Sequence, residues 1–197
     1  MSKPQLVIPM SGLGTRFIEA GYRVPKPLIP VMGKPIIQHI LEMYEDWDSI
    51  LFIVNEDHFN DPGLDLRGTL DRLSPNADIY PIPAHKLGPS HAVWKAKQKL
   101  KKDRPIVINY CDFAGKFDLA EYEKKLHDFD SVLLTYTGFH PHMLRSQKFA
   151  YIKRDNSGAL IDIQEKSSYT DYPMQEEASA GAYGFRNFEI LEEALSE

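Results

Sequence analysis

The run Ile50-Leu51-Phe52-Ile53-Val54 carries no polar residue on either face that a strand presents. Successive strand side chains point to opposite sides of a sheet, so a strand open to water on one side alternates apolar and polar residues. One that does not alternate must be covered on both sides, which is the condition of a parallel sheet flanked by helices. Leu6–Pro9 has the same character and so has Pro105–Tyr110 up to Asn109, Val132–Thr137 follows as a strand, and Asp78–Ile82 reads as a shorter one. Between them the periodicity changes from two to 3.6. Pro35–Tyr44 reads as a helix with Pro35 near its first turn and Ile36, Ile37, Ile40, Leu41 and Tyr44 on one face. A weaker helix covers Leu64–Leu73, and Ser90 is placed to cap one bearing Ala92, Val93, Ala96 and Leu100. Leu119, Tyr122, Leu126 and Phe129 stripe another. The expected class is α/β, with a predominantly parallel central sheet and helices on both faces.

Beyond residue 140 the pattern differs. Phe149–Lys153 and Ala159–Gln164, joined by Asp155-Asn156-Ser157-Gly158, read as a hairpin. Ala178–Phe185 reads as one more strand and Asn187–Ser196 as a closing helix. No linker is evident, so residues 1–197 are expected to form a single domain with a small antiparallel region appended. With 43% hydrophobic and 26% charged residues the composition is that of a globular protein. No apolar run approaches the roughly 18 residues of a membrane span, and with no basic-then-apolar stretch at the start a leader is not expected. A single cysteine, Cys111, excludes an internal disulfide framework and fits a reducing cytoplasm.

The chain has a net charge of −5, which argues against nucleic-acid binding by bulk electrostatics. Its charge is unevenly spread. Residues 1–35 hold Lys3, Arg16, Arg23, Lys26 and Lys34 against Glu19 alone, a basic centre in an acidic chain. Such a centre suits a small anionic ligand. Within it, Gly12 and Gly14 follow the first strand directly, Arg16 comes next, and Lys26 is held between Pro25 and Pro27. Glycines leave backbone N–H groups open to a phosphate, and the arginine fork and the lysine add charge. The position after a first strand is also where α/β sheets bind ligands. The glycines alone would equally suit an ordinary strand-to-helix turn. Phe17 stands where a dinucleotide fingerprint needs its third glycine, and no phosphate loop of the G-x-x-x-x-G-K-[ST] kind is present.

"IPMSGLGTRF" followed by "PKPLIPVMGKPII" resembles the amino-terminal signature of the nucleotidyltransferases that activate sugar phosphates, the NDP-sugar pyrophosphorylases. "LGPSHAV", "INYCDF", "IDIQEKS" and "ASAGAYGF" resemble later segments of that family in order and spacing, over nearly the whole chain. With "GFHPHM", the last of these is similar to members found with capsule and surface-polysaccharide genes. The resemblance implies a Rossmann-like fold, with 1–140 as the nucleotide-binding part and 141–197 as the substrate-facing part. It also implies transfer of a nucleoside monophosphate from an NTP (CTP, UTP or dTTP) to a small phosphorylated substrate, with release of pyrophosphate and with Mg²⁺ as cofactor.

Carried over residue by residue, the resemblance gives Met10, Ser11, Gly12, Gly14, Thr15, Gly88 and Ser90 to the nucleotide. It gives catalysis to Arg16, Lys26 and Asp112, and the metal to Asp112. Glu165, Lys166, Ser179 and Gly181 go to the phosphorylated substrate. For in-line phosphoryl chemistry these residue types make sense, since the reaction needs positioning and charge neutralisation more than a covalent nucleophile. Taken alone, Asp112 could cap a turn, Glu165 and Lys166 could form an exposed ion pair, and Gly181 could mark a bulge. Cys111 reads as a buried thiol, and His140 and His142 as loop residues lacking a third metal ligand nearby in sequence.

Three departures bear on specificity. No glutamine precedes Gly88 in "PIPAHKLG", Ser179 stands where the family has asparagine, and Ala150 replaces a turn glycine. These leave open a CTP-dependent enzyme acting on a non-sugar phosphate such as phosphocholine, and an inactive nucleotide-binding homologue. Family members continue beyond the point matching Glu197 into a segment with a second acidic metal ligand, so the substrate-facing part is expected to be incomplete. No membrane or nucleic-acid partner is expected, and a homo-oligomer is compatible with the sequence.

Overall fold

The computed structural model describes residues 2–139 and 149–196. In chain order the elements are β1 (Gln5–Met10), α1 (Thr15–Glu19), β2 (Pro30–Val31), β3 (Lys34–Pro35), α2 (Ile36–Leu41) and β4 (Ser49–Asn55). Next come α3 (Glu56–Asn60), α4 (Leu66–Leu73), β5 (Asp78–Ile82), α5 (Gly88–Lys95), β6 (Ile106–Asn109) and α6 (Leu119–Asp128). The last are β7 (Ser131–Tyr136), β8 (Ala150–Arg154), β9 (Leu160–Glu165), β10 (Glu177–Phe185) and α7 (Phe188–Ser196). The backbone divides into two compact units, residues 1–132 with 183–197, and residues 133–182.

In the larger unit the strand order is β5-β4-β1-β6, and β1 pairs in parallel with β4 and with β6. The unalternating apolar runs are the cause. Val7, Leu51, Ile53, Ile106 and Ile108 pack on one face against Ala92 and Val93 of α5, Ala96 at its end, and Phe188 and Leu191 of α7. Leu6, Ile8, Phe52 and Val107 alternate with them onto the other face and are equally buried. Each such side chain is worth about 1.5–3 kcal/mol in water-to-interior transfer, and losing two-sided cover would forfeit half the set.

The strand order has a consequence for function. The chain runs from β1 outward through β4 to β5, then returns to β6 on the other side of β1, so the order reverses between β1 and β6. Ligands of open α/β sheets bind beyond the carboxyl ends of strands at such a reversal. Val7 pairs with Ile108, so the two parallel strands send their carboxyl ends to the same side, β1 toward Ser11 and β6 toward Asp112.

Several local expectations are corrected. The helix expected over 35–44 is α2 followed by a 3₁₀ turn at Glu42–Tyr44, with Pro35 as its N-cap residue. Ser90 does not cap α5. Pro89 sits in its first turn, where a missing N–H costs nothing, and the helix starts before the serine. Leu100 lies beyond α5, after a further 3₁₀ turn. Phe129 is not on the buried stripe of α6, because the chain leaves the helix extended there and the ring is exposed. Phe117 takes its place, edge-on to both Tyr122 and Tyr44. The short α3 has no apolar periodicity to announce it; Asn55 caps it by accepting hydrogen bonds from the N–H groups of Asp57 and His58.

Gly184 is pressed against α6. A Cβ built on it would collide with the side chain of Leu126 and the hydroxyl of Tyr122. Gly184→Ala is therefore expected to destabilise the protein by about 1–3 kcal/mol, against the usual small gain from removing a glycine. Urea unfolding with an unchanged midpoint would show that the strand and helix can move apart freely.

In the unit of residues 133–182, β8 and β9 form the expected antiparallel hairpin, with β8 antiparallel to the first residues of β10. Its turn is organised by Asp155, whose Oδ1 accepts from the backbone N–H groups of Ser157 and Ala159. Among the described residues no helix is long and apolar enough to cross a membrane.

Candidate functional site

At the end of β1 the side chain of Ser11 is buried, and its Oγ lies 3.2 Å from Nε2 of His85. Nδ1 of His85 accepts from the Leu87 N–H at 3.3 Å, which leaves Nε2 as the protonated nitrogen donating to Ser11 when the ring is neutral. Burial first, then His91 and Lys95, push the His85 pKa below its ordinary value, which favours that neutral form. The carbonyl of Ser11 accepts from Asn55 Nδ2 at 3.4 Å. Gly14 follows with a φ of 63°, a left-handed conformation that favours glycine, and its carbonyl accepts from the N–H groups of Phe17 and Ile18 in α1. Gly12 has no such need: its φ is not positive, and a Cβ built there meets nothing within 4 Å. No described residue crowds a side chain at 12, so the space over its bare backbone is open to an approaching ligand.

Lys26 lies in a 3₁₀ turn whose ends close through Leu28 N–H to Pro25 O and Ile29 N–H to Lys26 O, with Pro27 buried beneath. Its Nζ donates to Asp112 Oδ2 at 2.6 Å. Asp112 is held in turn by the end of β6, where the buried Asn109 accepts from the Tyr44 hydroxyl and donates to the Tyr110 carbonyl. The lysine and aspartate picked from the sequence thus meet across 86 residues of chain. Both are partly exposed, 24% and 49%, so the pair adds little to stability and stays open to exchange its partners. Arg16, on α1, is exposed and makes no ion pair among the described residues.

Met10, Ser11, Gly12, Gly14, Thr15, Arg16, Lys26, Gly88 and Asp112 line one cavity of about 390 Å³. Ser90 lies in α5 and is not part of its wall. His85, Phe17 and Pro89 also line it and were not picked out from the sequence. For His85 the signal was its place in "PIPAHKLG", the stretch that departs from the family. Cys111 lines the cavity too, its thiol pushed up to about 11 by burial and then by the Asp112 charge, against the pull of Lys26. It is a protonated thiol at neutral pH, and it is half-buried at the cavity wall where the sequence suggests a buried one.

Asp112 is the one carboxylate in that wall, and no group of three or more metal-type side chains occurs among the described residues. A closed metal cage is therefore not formed there. The donor set fits Mg²⁺ in its commoner mode, with one hard carboxylate oxygen and the rest of the shell from water and substrate phosphates.

The residues expected to face the second substrate lie in the other unit. Lys166 follows β9 with a φ of 60°, unusual for a residue with a side chain, and its N–H donates to Phe149 O at 2.7 Å. Its Nζ is 2.8 Å from Glu165 Oε1, and both side chains are about two-thirds exposed. Gly181 has a φ of 73°, and its N–H donates to Ser179 Oγ at 3.1 Å. His140 and His142 lie outside the described residues.

Backbone amides, two cations and a single carboxylate at the reversal point of a parallel sheet are the parts of a phosphate-handling α/β protein. The chain belongs to the nucleotidyl transferase family, whose model matches residues 6–197. It is 28% identical over 190 residues to the bifunctional protein GlmU of Methanococcus maripaludis, covering 94% of this chain and 41% of that protein. It is 31% identical over 147 residues to the UTP–glucose-1-phosphate uridylyltransferase of Bacillus subtilis, covering 61% of this chain and 50% of that one. The chain thus spans half or less of the length of these relatives. Among solved structures, the nucleoside-diphosphate-sugar pyrophosphorylase of Vibrio cholerae superposes with a TM-score of 0.73 over 98% of this chain and 77% of its own, at 22% identity. At that identity the likeness shows the fold alone, and it is the α/β fold expected from the apolar runs.

Proposed function

We propose that this chain carries a nucleotidyltransferase site that moves a nucleoside monophosphate from an NTP to a sugar-1-phosphate, with Mg²⁺ as cofactor. The observation that carries the reading is the Lys26–Asp112 contact inside the glycine-loop cavity. An oxygen of the acceptor phosphate bonds to the α-phosphorus, the bond from that phosphorus to the bridging oxygen breaks, and pyrophosphate leaves with the electron pair. The attacking oxygen is already anionic, so no general base is needed. The Gly12 and Gly14 amides and Arg16 hold the triphosphate. Lys26 neutralises charge on the α-phosphoryl group and the incoming phosphate. Asp112 would hold Mg²⁺, which supplies charge neutralisation on the phosphate oxygens when bound. Without ligands Lys26 and Asp112 neutralise each other; with them, each takes a partner of the opposite charge. Met10, Ser11, Thr15 and Gly88, which line the cavity, belong with the nucleotide in this reading, and Glu165, Lys166, Ser179 and Gly181 with the acceptor.

A second reading, CTP with a non-sugar phosphate, draws support from Ser179. A serine stands at an asparagine position, and its hydroxyl accepts from the Gly181 N–H. One assay separates the two: pyrophosphate release from CTP, UTP, dTTP, ATP and GTP, each against a series of sugar-1-phosphates and against phosphocholine. Release dependent on a sugar-1-phosphate is the expected result. Release with CTP and phosphocholine alone would favour the second reading, and none with any pair would reject both.

A further inference from the structure

The glycine loop borders a second cavity, of about 600 Å³, larger than the one just described. Its wall is formed by the 13–26 segment together with His58 of α3 and Leu64 ahead of α4. The apolar part comes from Leu13, Ile18, Tyr22, Val24 and Leu64, of which Ile18 is 60% exposed. Isolated exposed apolar residues are ordinary, but several lining one concave surface are the usual build of a small-molecule site. The polar part is one-sided in charge. Arg23 and Lys26 line the cavity and no carboxylate does. His58 adds no lasting charge: burial pushes its pKa below the ordinary value, against the opposing pull of Asp57 and Asp61. Those two acids belong to α3 and its C-cap and lie outside the wall.

From this wall we infer a second ligand site, for a small organic anion with a flat apolar body, distinct from the nucleotide cavity and sharing Lys26 with it. The apolar side chains take the body and the Arg23 guanidinium takes the acidic group, where a planar fork matches a carboxylate, sulfonate or phosphate. The volume lies in the range that encloses such ligands. Lys26 and Gly14 line both cavities, so an anion drawn to Lys26 from this side competes with the partner that the lysine holds on the other. Occupancy here opposes binding in the glycine-loop cavity, and the opposition is mutual. The site stands by itself; only its effect on turnover rests on the proposed function.

The probe is 8-anilinonaphthalene-1-sulfonate, titrated into the folded protein and followed by fluorescence, with circular dichroism and a thermal melt for every variant. Saturable binding to one site is expected. Arg23→Ala should weaken it about tenfold or more, the worth of one charge-assisted contact. Leu64→Trp, which intrudes on the cavity without filling it, should weaken binding clearly, and Arg16→Ala should leave it unchanged. Tripolyphosphate should weaken the probe in the parent and not in Lys26→Ala. In the turnover arm the probe should inhibit pyrophosphate release by the parent and much less by Arg23→Ala. Absence of saturable binding, parent-like binding by Arg23→Ala in a folded protein, or equal weakening by Arg16→Ala would overturn the site. Absence of any pyrophosphate release would count against the proposed function and leave the fluorescence result standing.

Discussion

Lys26→Ala should lower turnover about 10²-fold or more while leaving the fold intact, the range expected when a charge acting on developing phosphoryl charge is removed. The loss should appear in kcat as well as in binding, because the lysine meets the α-phosphoryl group as charge moves onto the leaving oxygen. Stability should barely change. The ion pair that is lost is partly exposed on both sides, and such pairs are worth about 0–1 kcal/mol. Arginine should not rescue it well, since its fork is longer and wider than an ammonium set in a 3₁₀ turn between two prolines. Steady-state pyrophosphate release and a urea melt give both quantities on one preparation. A folded Lys26→Ala protein with parental kinetics would remove the lysine from the chemistry and leave it as the partner of Asp112 alone.

Asp112→Asn should abolish Mg²⁺-dependent turnover. The amide keeps the size of the side chain, and its oxygen still accepts from Lys26, so the cavity wall holds its shape. What disappears is the one carboxylate of that wall. Mg²⁺ should bind weakly to the parent until the triphosphate arrives, because one carboxylate and water make a poor site without phosphate oxygens. Titrating Mg²⁺ in the pyrophosphate assay tests the first point, and electron paramagnetic resonance of Mn²⁺ with and without CTP tests the second without needing turnover. An unchanged Mg²⁺ response in Asp112→Asn would refute the metal role. The double variant with Lys26→Ala should lose little more than the worse single one, since contacting residues acting on one step are not additive.

The unalternating runs at Leu6–Pro9, Ile50–Val54 and Pro105–Tyr110 were enough to determine buried parallel strands, since their side chains tolerate water on neither face. The hairpin at 150–165 was legible for a similar local reason: Asp155 and Gly158 organise a turn with bonds that span four residues at most. The glycine loop, Arg16 and Lys26 were legible because they are close in sequence, and chemistry that close announces itself. The same periodicity misplaced Phe129, because a helical stripe does not reveal that the chain turns extended at Phe129 itself and that Phe117 is the ring that packs on Tyr122 and Tyr44.

Tertiary structure alone decided that Lys26 meets Asp112, that His85 turns to Ser11, and that the second cavity opens beside the loop. Each depends on which strands become neighbours. β1 lies between β4 and β6 because that order covers both faces of all three. Apolar patterning states that a strand must be covered; it does not state by what. The neighbour is chosen by the packing of the whole chain, and with it the pairing of a lysine near residue 30 with an aspartate beyond residue 110.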